Sequence, residues 1–347
     1  MNILVVGNLG YIGPMVAKHF RSNHPAYKVT GYDIGYFIQN YTYNGIAGDA
    51  LLEKQYYGDV RHFDASLLKG MDAVIYLAAI SNDPMGNAFE KPTMDINCHA
   101  AVQIATSAKQ NGVRHFVFAS SCSVYGFADT EPRSEQSEVN PLTAYAKSKV
   151  FAEQGLTPLA GNDFKVTCLR FATACGYSDR LRLDLVLNDF VASAIADKKI
   201  SILSDGTPWR PLIHVKDMAL AMDWAIQRED GPDALVINTG SKQWNYQVKE
   251  LAEAVQKYFP DVDVSINTNA QPDKRSYKVN FDMYEKMAPG HQPKVSLEMA
   301  VQDLKNGLQS MHFNDANFRQ SHLIRLKKIQ QLIDSSVIDN NLFLNKV

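Results

Sequence analysis

Asn2-Ile3-Leu4-Val5-Val6-Gly7-Asn8-Leu9-Gly10-Tyr11-Ile12-Gly13 opens the chain with an apolar run, a glycine-spaced turn and the start of an amphipathic stretch. The run is short and β-branched, which suits a strand buried on both faces. Three glycines at GxxGxxG spacing follow it at once. Small residues there let the backbone turn tightly and approach a pyrophosphate, while the following helix offers free N–H donors and the positive end of its dipole. Gly7, Gly10 and Gly13, with Tyr11 and Ile12 between them, are therefore candidate dinucleotide-binding residues.

The same alternation continues outward from this turn. Residues 3–6, 28–32, 73–78, 115–119 and 166–171 read as buried strands, and 12–22, 97–111 and 144–154 as helices. Strand–helix alternation implies βαβ units, and right-handed crossovers then give a Rossmann-type, doubly wound parallel α/β sheet. A nucleotide-binding domain over residues 1–175 is expected, its sheet completed by part of 211–240. Residues 176–347 form mostly a smaller mixed α/β substrate lobe, with helix at 183–196 and 248–259, strands at 200–203 and 234–238, and a helical tail. The tail from Ser321 places Leu323, Ile324, Leu326, Ile329, Leu332 and Ile333 near helical spacing, which fits a helix docked on its own chain or a dimer contact.

Asp33 ends the second strand, 20 residues after Gly13. A carboxylate there accepts from both adenosine ribose hydroxyls and repels a 2′-phosphate, which favours NAD over NADP. Asp59, in Gly58-Asp59-Val60, is placed to meet the adenine edge. Tyr145 and Lys149 form a YxxxK pair on one helix face. A phenol of ordinary pKa near 10 is a poor base at neutral pH, and a nearby ammonium and the positive nicotinamide ring would lower it. Ser121 leaves a strand at the carboxyl edge of the sheet, where open α/β proteins hold ligands, and its hydroxyl can share a proton with Tyr145.

Composition narrows the function classes. The 347 residues include 46% hydrophobic and 21% charged side chains, with a net charge of −2. No basic stripe points to nucleic acid. No apolar run approaches the roughly 18 residues needed to span a bilayer, and no membrane role is expected. Cys98, Cys122, Cys168 and Cys175 show no metal-ligand spacing, so no metal is expected and the thiols fit a reduced, cytoplasmic setting.

Taken in order, GxxGxxG, Asp33, Gly58-Asp59-Val60, Leu77-Ala78-Ala79, Asn97, Ser120-Ser121-Cys122-Ser123-Val124-Tyr125-Gly126 and Pro141-x-x-x-Tyr145-x-x-x-Lys149 resemble the extended short-chain dehydrogenases/reductases. The chain is most similar there to nucleotide-sugar epimerases and dehydratases. The resemblance runs from residue 1 to about residue 280. It implies NAD as cofactor, a nucleotide-diphosphate sugar as substrate and a homodimer. It also implies a catalytic trio of Ser121, Tyr145 and Lys149, with Lys149 anchoring the nicotinamide ribose. Asp59, Val60, Leu77, Ala78, Ala79, Asn97, Ser120 and Phe171 would join the glycine loop around the cofactor, Asn97 by supporting the active-site helix. Ser81, Asn82, Ser123, Thr173, Asn188, Arg210 and Arg275 would face the substrate, the two arginines gripping its diphosphate.

Departures from the family pattern matter too. Ser121-Cys122-Ser123 stands where dehydratases carry Thr-Asp-Glu, so the acid for a departing hydroxyl is missing unless Cys122 supplies it. Thr173 stands where epimerases carry Asn, which points to a substrate other than UDP-glucose. The leading reading is an epimerase that keeps its hydride on bound NAD. A dehydrogenase or 4-keto reductase, an atypical dehydratase, and a non-enzymatic cofactor sensor remain as alternatives. Specificity is expected in the loops 81–86 and 177–188 and around Trp209.

Overall fold

The computed structural model describes residues 1–43, 45–127, 131–270 and 276–345. Its centre is a seven-stranded sheet built from β1 (Asn2–Val6), β2 (Lys28–Asp33), β3 (Lys54–Tyr57), β4 (Ala73–Tyr76), β5 (His115–Ser121), β6 (Lys165–Phe171) and a last strand from the second half of the chain. All neighbouring strands are parallel. Helices Gly13–Asn23 and Val215–Gln227 pack on one face, and Ala100–Gln110 and Ala144–Leu156 on the other. Covering both faces explains why β4 reads Ala-Val-Ile-Tyr with every residue buried.

The remaining strands are β7 (Thr173–Cys175), β8 (Lys199–Ile202), β9 (Trp209–His214), β10 (Ala234–Thr239), β11 (Asn245–Gln247) and β12 (Asp263–Ile266). The large sheet runs β10-β6-β5-β4-β1-β2-β3. Strand order reverses between β1 and β4, and this switch point is where open α/β sheets hold ligands at their carboxyl ends. β7, β9 and β11 form a three-stranded sheet, and β8 and β12 a two-stranded one. A third apolar cluster fills this lobe, around Leu187, Val191, Leu251, Val301 and Leu304.

Only Ala172 separates β6 from β7, so the chain passes from the large sheet to the small one within one residue. The tail from Ser321 forms helix Arg325–Asp334. It docks on its own chain, burying Ile329 in the cluster that also contains Leu4, Val6 and Tyr76. Past it, Ile338 and Leu342 are also buried.

Candidate active site

A cavity of about 980 Å³ opens along the carboxyl edge of the large sheet and continues into the second lobe. Gly7, Gly10, Tyr11 and Ile12 line it. Gly7 has φ +86°, and a Cβ on it would lie 2.3 Å from the Ala78 amide nitrogen. A side chain there would push the turn off the neighbouring strand end. Gly13 does not line the cavity. Its missing Cβ instead lets the first helical turn lie on Asn8, whose carbonyl oxygen would be 2.0 Å away.

Asp33 sits at the end of β2 beside this turn. Its Oδ2 accepts from the Leu9 N–H at 2.9 Å and its Oδ1 from Gly35 N–H at 2.7 Å. Burial pushes its pKa up, more than these bonds and Arg180 pull it down. A carboxylate has about four acceptor positions, so capacity remains for ribose hydroxyls. Asp59 also lines the cavity, but its carboxylate is gripped by the Arg61 Nε at 2.9 and 3.0 Å. Val60, Leu77, Ala78 and Ala79 complete this wall. The glycine turn, the carboxylate beyond it and the open cavity between them fit a dinucleotide stretched along the sheet edge.

Ser121 ends β5, and Tyr145 and Lys149 project from helix Ala144–Leu156; all three line the cavity. Thr143 caps that helix by accepting from the Ala146 N–H at 3.2 Å, and its hydroxyl donates to Asp83 Oδ1 at 2.7 Å. Burial raises the Tyr145 pKa; a hydrogen bond with Ser121 and the charge of Arg182 pull the other way without reversing it. Lys149 is drawn down to about 7 by burial. Its Nζ donates to the Ala119 carbonyl at 2.7 Å and lies 5.6 Å from the Tyr145 ring centre. At this phenol desolvation outweighs charge, the neighbouring cation that favours its ionised form is Arg182, and the Lys149 ammonium is held by a backbone carbonyl. The lowering expected from an ammonium together with the nicotinamide ring belongs to the cofactor-bound protein.

Ser120 and Phe171 face each other's neighbours on β5 and β6, and both line the cavity. The Ser120 hydroxyl is directed away from it, donating at 2.5 Å to Glu153, which also pairs with Arg170 at 2.7 Å. Asn97 is fully buried and is not part of the cavity wall. Its amide accepts from the Ile80 N–H at 2.8 Å and donates to the Ile80 carbonyl and Ser148 Oγ, each at 3.0 Å. It acts on the cavity through the helix that carries Tyr145, not by contact.

Ser81, Asn82, Ser123, Thr173 and Arg210, expected to face the substrate, also line the cavity. Ser123 Oγ is buried without a hydrogen-bond partner, an acceptor and donor left for a bound molecule. Asn188 is not brought to the cavity. Its buried amide instead accepts from the Gly176 N–H at 3.0 Å and donates to the Tyr11 hydroxyl at 3.0 Å and the Arg182 carbonyl at 2.9 Å. Arg275 lies outside the described residues. Cys122 is packed inward, its thiol donating to the Arg170 carbonyl at 3.0 Å, and burial pushes its pKa up. It is not an available acid.

Several wall residues escaped the sequence reading. Arg182 donates to both oxygens of Asp184 at 2.9 Å and to Ser81 Oγ at 2.9 Å, and Asn82 donates to Asp184 at 2.7 Å. This cluster ties loop 81–86 to the second lobe. Asn82 has φ 115° and ψ 162°, a region that disfavours side chains, and the Asp184 contact helps hold it there. Asp83, Tyr277, Arg319 and Arg325 also reach the wall. The alternation Arg180-Leu181-Arg182-Leu183-Asp184 was the available signal for the first pair, inside a loop flagged only for specificity. Away from the cavity, His19 and His24 both bond one oxygen of Asp223, at 2.8 and 2.9 Å, a group with metal-ligand atoms that sequence spacing did not reveal.

The sequence profile of the NAD dependent epimerase/dehydratase family matches residues 3–240. A UDP-glucose 4-epimerase of Corynebacterium glutamicum is 26% identical over 275 residues, covering 73% of this chain and 79% of that protein. One from Haemophilus influenzae is 30% identical over 230 residues, covering 59% of this chain and 67% of the other. Among solved structures, UDP-glucuronic acid 4-epimerase from Bacillus cereus, in complex with UDP-glucuronic acid and NAD, superposes with a TM-score of 0.76. It is 22% identical, and the match covers 90% of this chain and all of that one. TunA, an NAD-dependent NDP-hexosamine 5,6-dehydratase, gives a TM-score of 0.77 at 22% identity over 91% and 99% of the two chains.

Proposed function

Because this chain belongs to the NAD dependent epimerase/dehydratase family, and so is an enzyme that takes NAD, we propose that it epimerises a nucleotide-diphosphate sugar through a transient keto-sugar. The observation that carries this reading is that Ser121, Tyr145 and Lys149 line the same cavity as the glycine turn. When bound, NAD supplies the acceptor and donor of hydride. Tyr145 Oη receives the proton of the sugar hydroxyl that becomes a carbonyl, and returns it when that hydroxyl reforms. Ser121 is the neighbouring hydroxyl placed to share this proton, and Arg182 stabilises negative charge on the phenol. Ser123 Oγ, buried and unpartnered, is a ready contact for another sugar hydroxyl.

The inward packing of Cys122 favours epimerase over dehydratase, since the thiol on the Arg170 carbonyl cannot protonate a leaving hydroxyl. The test is proton NMR of the purified protein with a panel of sugar nucleotides in heavy water, without added cofactor. A new epimer is the expected product. A dehydrated sugar, or turnover only after NAD(P)+ or NAD(P)H is supplied, would overturn the reading in favour of a dehydratase or a net oxidoreductase. A homodimer belongs to the same proposal and is read by sedimentation.

A further inference from the structure

Three guanidinium groups gather beside the glycine turn, and two of them have carboxylates. Arg180 pairs with Asp49 at 3.1 Å and Arg182 with Asp184 at 2.9 Å. Arg325, the first residue of the C-terminal helix, has no ion pair among the described residues. Its Nη2 donates to the Arg180 carbonyl at 2.7 Å, but its Nη1 is buried with no partner at all. The residue is 2% exposed and yet lines the cavity. A buried guanidinium N–H without an acceptor is costly, and such a vacancy in a binding cavity points to a ligand oxygen.

The position selects the kind of oxygen. The Arg325 guanidinium lies 4.4 Å from the centre of the Phe37 ring, on the segment that follows Asp33. Its other electrostatic neighbours are Arg182, Asp184, Arg180 and Tyr11, the last from the glycine turn. Arg325 therefore stands between the adenosine end of the cavity, marked by Asp33, and the reacting end, marked by Tyr145. A dinucleotide laid between those ends carries its diphosphate across this interval. Burial and then Arg182 pull the Arg325 pKa down to about 9, and Arg180 adds to the effect. Desolvation is the larger cause and the neighbouring guanidinium charges the smaller, and an anion at Arg325 would offset both.

We propose that Arg325 binds the diphosphate of NAD, which makes the C-terminal helix a working part of the cofactor site. The tail beyond the helix is fastened beside it. Arg61 donates to the carbonyls of Asn341 at 2.6 Å and Leu342 at 2.5 Å, and stacks 3.5 Å from the Phe343 ring centre. The tail thus straps the adenosine side of a site whose glycine turn lies more than 300 residues earlier. This inference rests on NAD binding alone and not on the epimerase reading.

The test compares wild type with Arg325→Gln in the full chain, measuring NAD retained per subunit after dialysis and displacement of that NAD by ADP-ribose or adenosine. Losing a charge-assisted contact to the diphosphate should weaken NAD and ADP-ribose about tenfold or more, with adenosine unchanged. Three results would overturn the proposal: unchanged NAD retention, equal loss of adenosine and ADP-ribose, or intact NAD binding with a raised KM for the sugar nucleotide. The last would assign Arg325 to the substrate's diphosphate. If Arg325→Gln does not fold, Arg325→Lys, which keeps the charge and loses the planar fork, is read by the same criteria. A preparation that shows the selective loss but no epimerisation refutes only the activity.

Discussion

At the scale of single residues, Lys149 shows how burial and function oppose each other. Its ammonium is drawn down to about 7 by desolvation, so the folded state holds the proton less readily than the unfolded chain, where the amine titrates near 10.4. The stability penalty is full below pH 7 and is relieved as pH rises from about 7 towards 10.4. Lys149→Met should therefore stabilise the cofactor-free protein at neutral pH, by on the order of 1–3 kcal/mol, while abolishing turnover. Thermal melts from pH 6 to 10 check this, and the gain should shrink at the alkaline end. Tyr145→Phe should reduce kcat by about 10²–10⁴-fold with NAD still retained, since it removes the proton shuttle without touching the glycine turn. The Tyr145/Lys149 spacing was legible from sequence. The surroundings of the phenol were not, because its burial and the charges of Asp83 and Arg182 come from other segments.

At the scale of elements, the helix Ala144–Leu156 is held by a segment that departs from α-helical geometry. Residues Asp95–His99 form a π-helical turn, and Asn97 within it bridges Ile80 to Ser148. Asn97→Ala would leave the Ile80 N–H and carbonyl without these partners and cut the link to Ser148, whose hydroxyl still donates to the Tyr145 carbonyl, at a cost of about 1–3 kcal/mol for each buried group left unsatisfied. Denaturant unfolding should show the loss, and kcat should fall more than NAD affinity, because Tyr145 moves while Gly7 and Asp33 do not. The buried strands of the large sheet were read within a few residues, since a run such as Ile3–Val6 has no other place to go. The helix expected over 183–196 starts only at Val186, because Arg182 and Asp184 are drawn into their mutual ion pair. The three-residue strands β7 and β11 escaped reading; pieces so short carry no period, and only their pairing with β9 defines them.

At the scale of the whole molecule, the cavity is assembled from both ends of the chain. Its wall runs from Gly7 to Leu326, and no local pattern marks Arg182 or Arg325 as belonging with the glycine turn. A chain ending at Ile324 would expose partners of Ile329, Ile338 and Leu342, each at most 1% exposed. Burying such aliphatic side chains contributes about 1.5–3 kcal/mol each, so this truncation should lower the melting temperature sharply and release NAD, read by calorimetry and nucleotide content. The amino terminus lies at the opposite edge of the sheet, where the N–H of Asn2, the first residue of β1, donates to Asp72 at 2.7 Å. The carboxyl end, in contrast, closes over Arg61 and the adenosine side through Leu342 and Phe343. An affinity tag is therefore not a neutral choice for this enzyme. Fused ahead of Met1 it hangs from the end of the sheet away from the cavity, whereas fused at the other end it follows a segment that Arg61 holds beside Asp59 of the cavity wall, and yields from the two designs should differ in bound NAD rather than in fold.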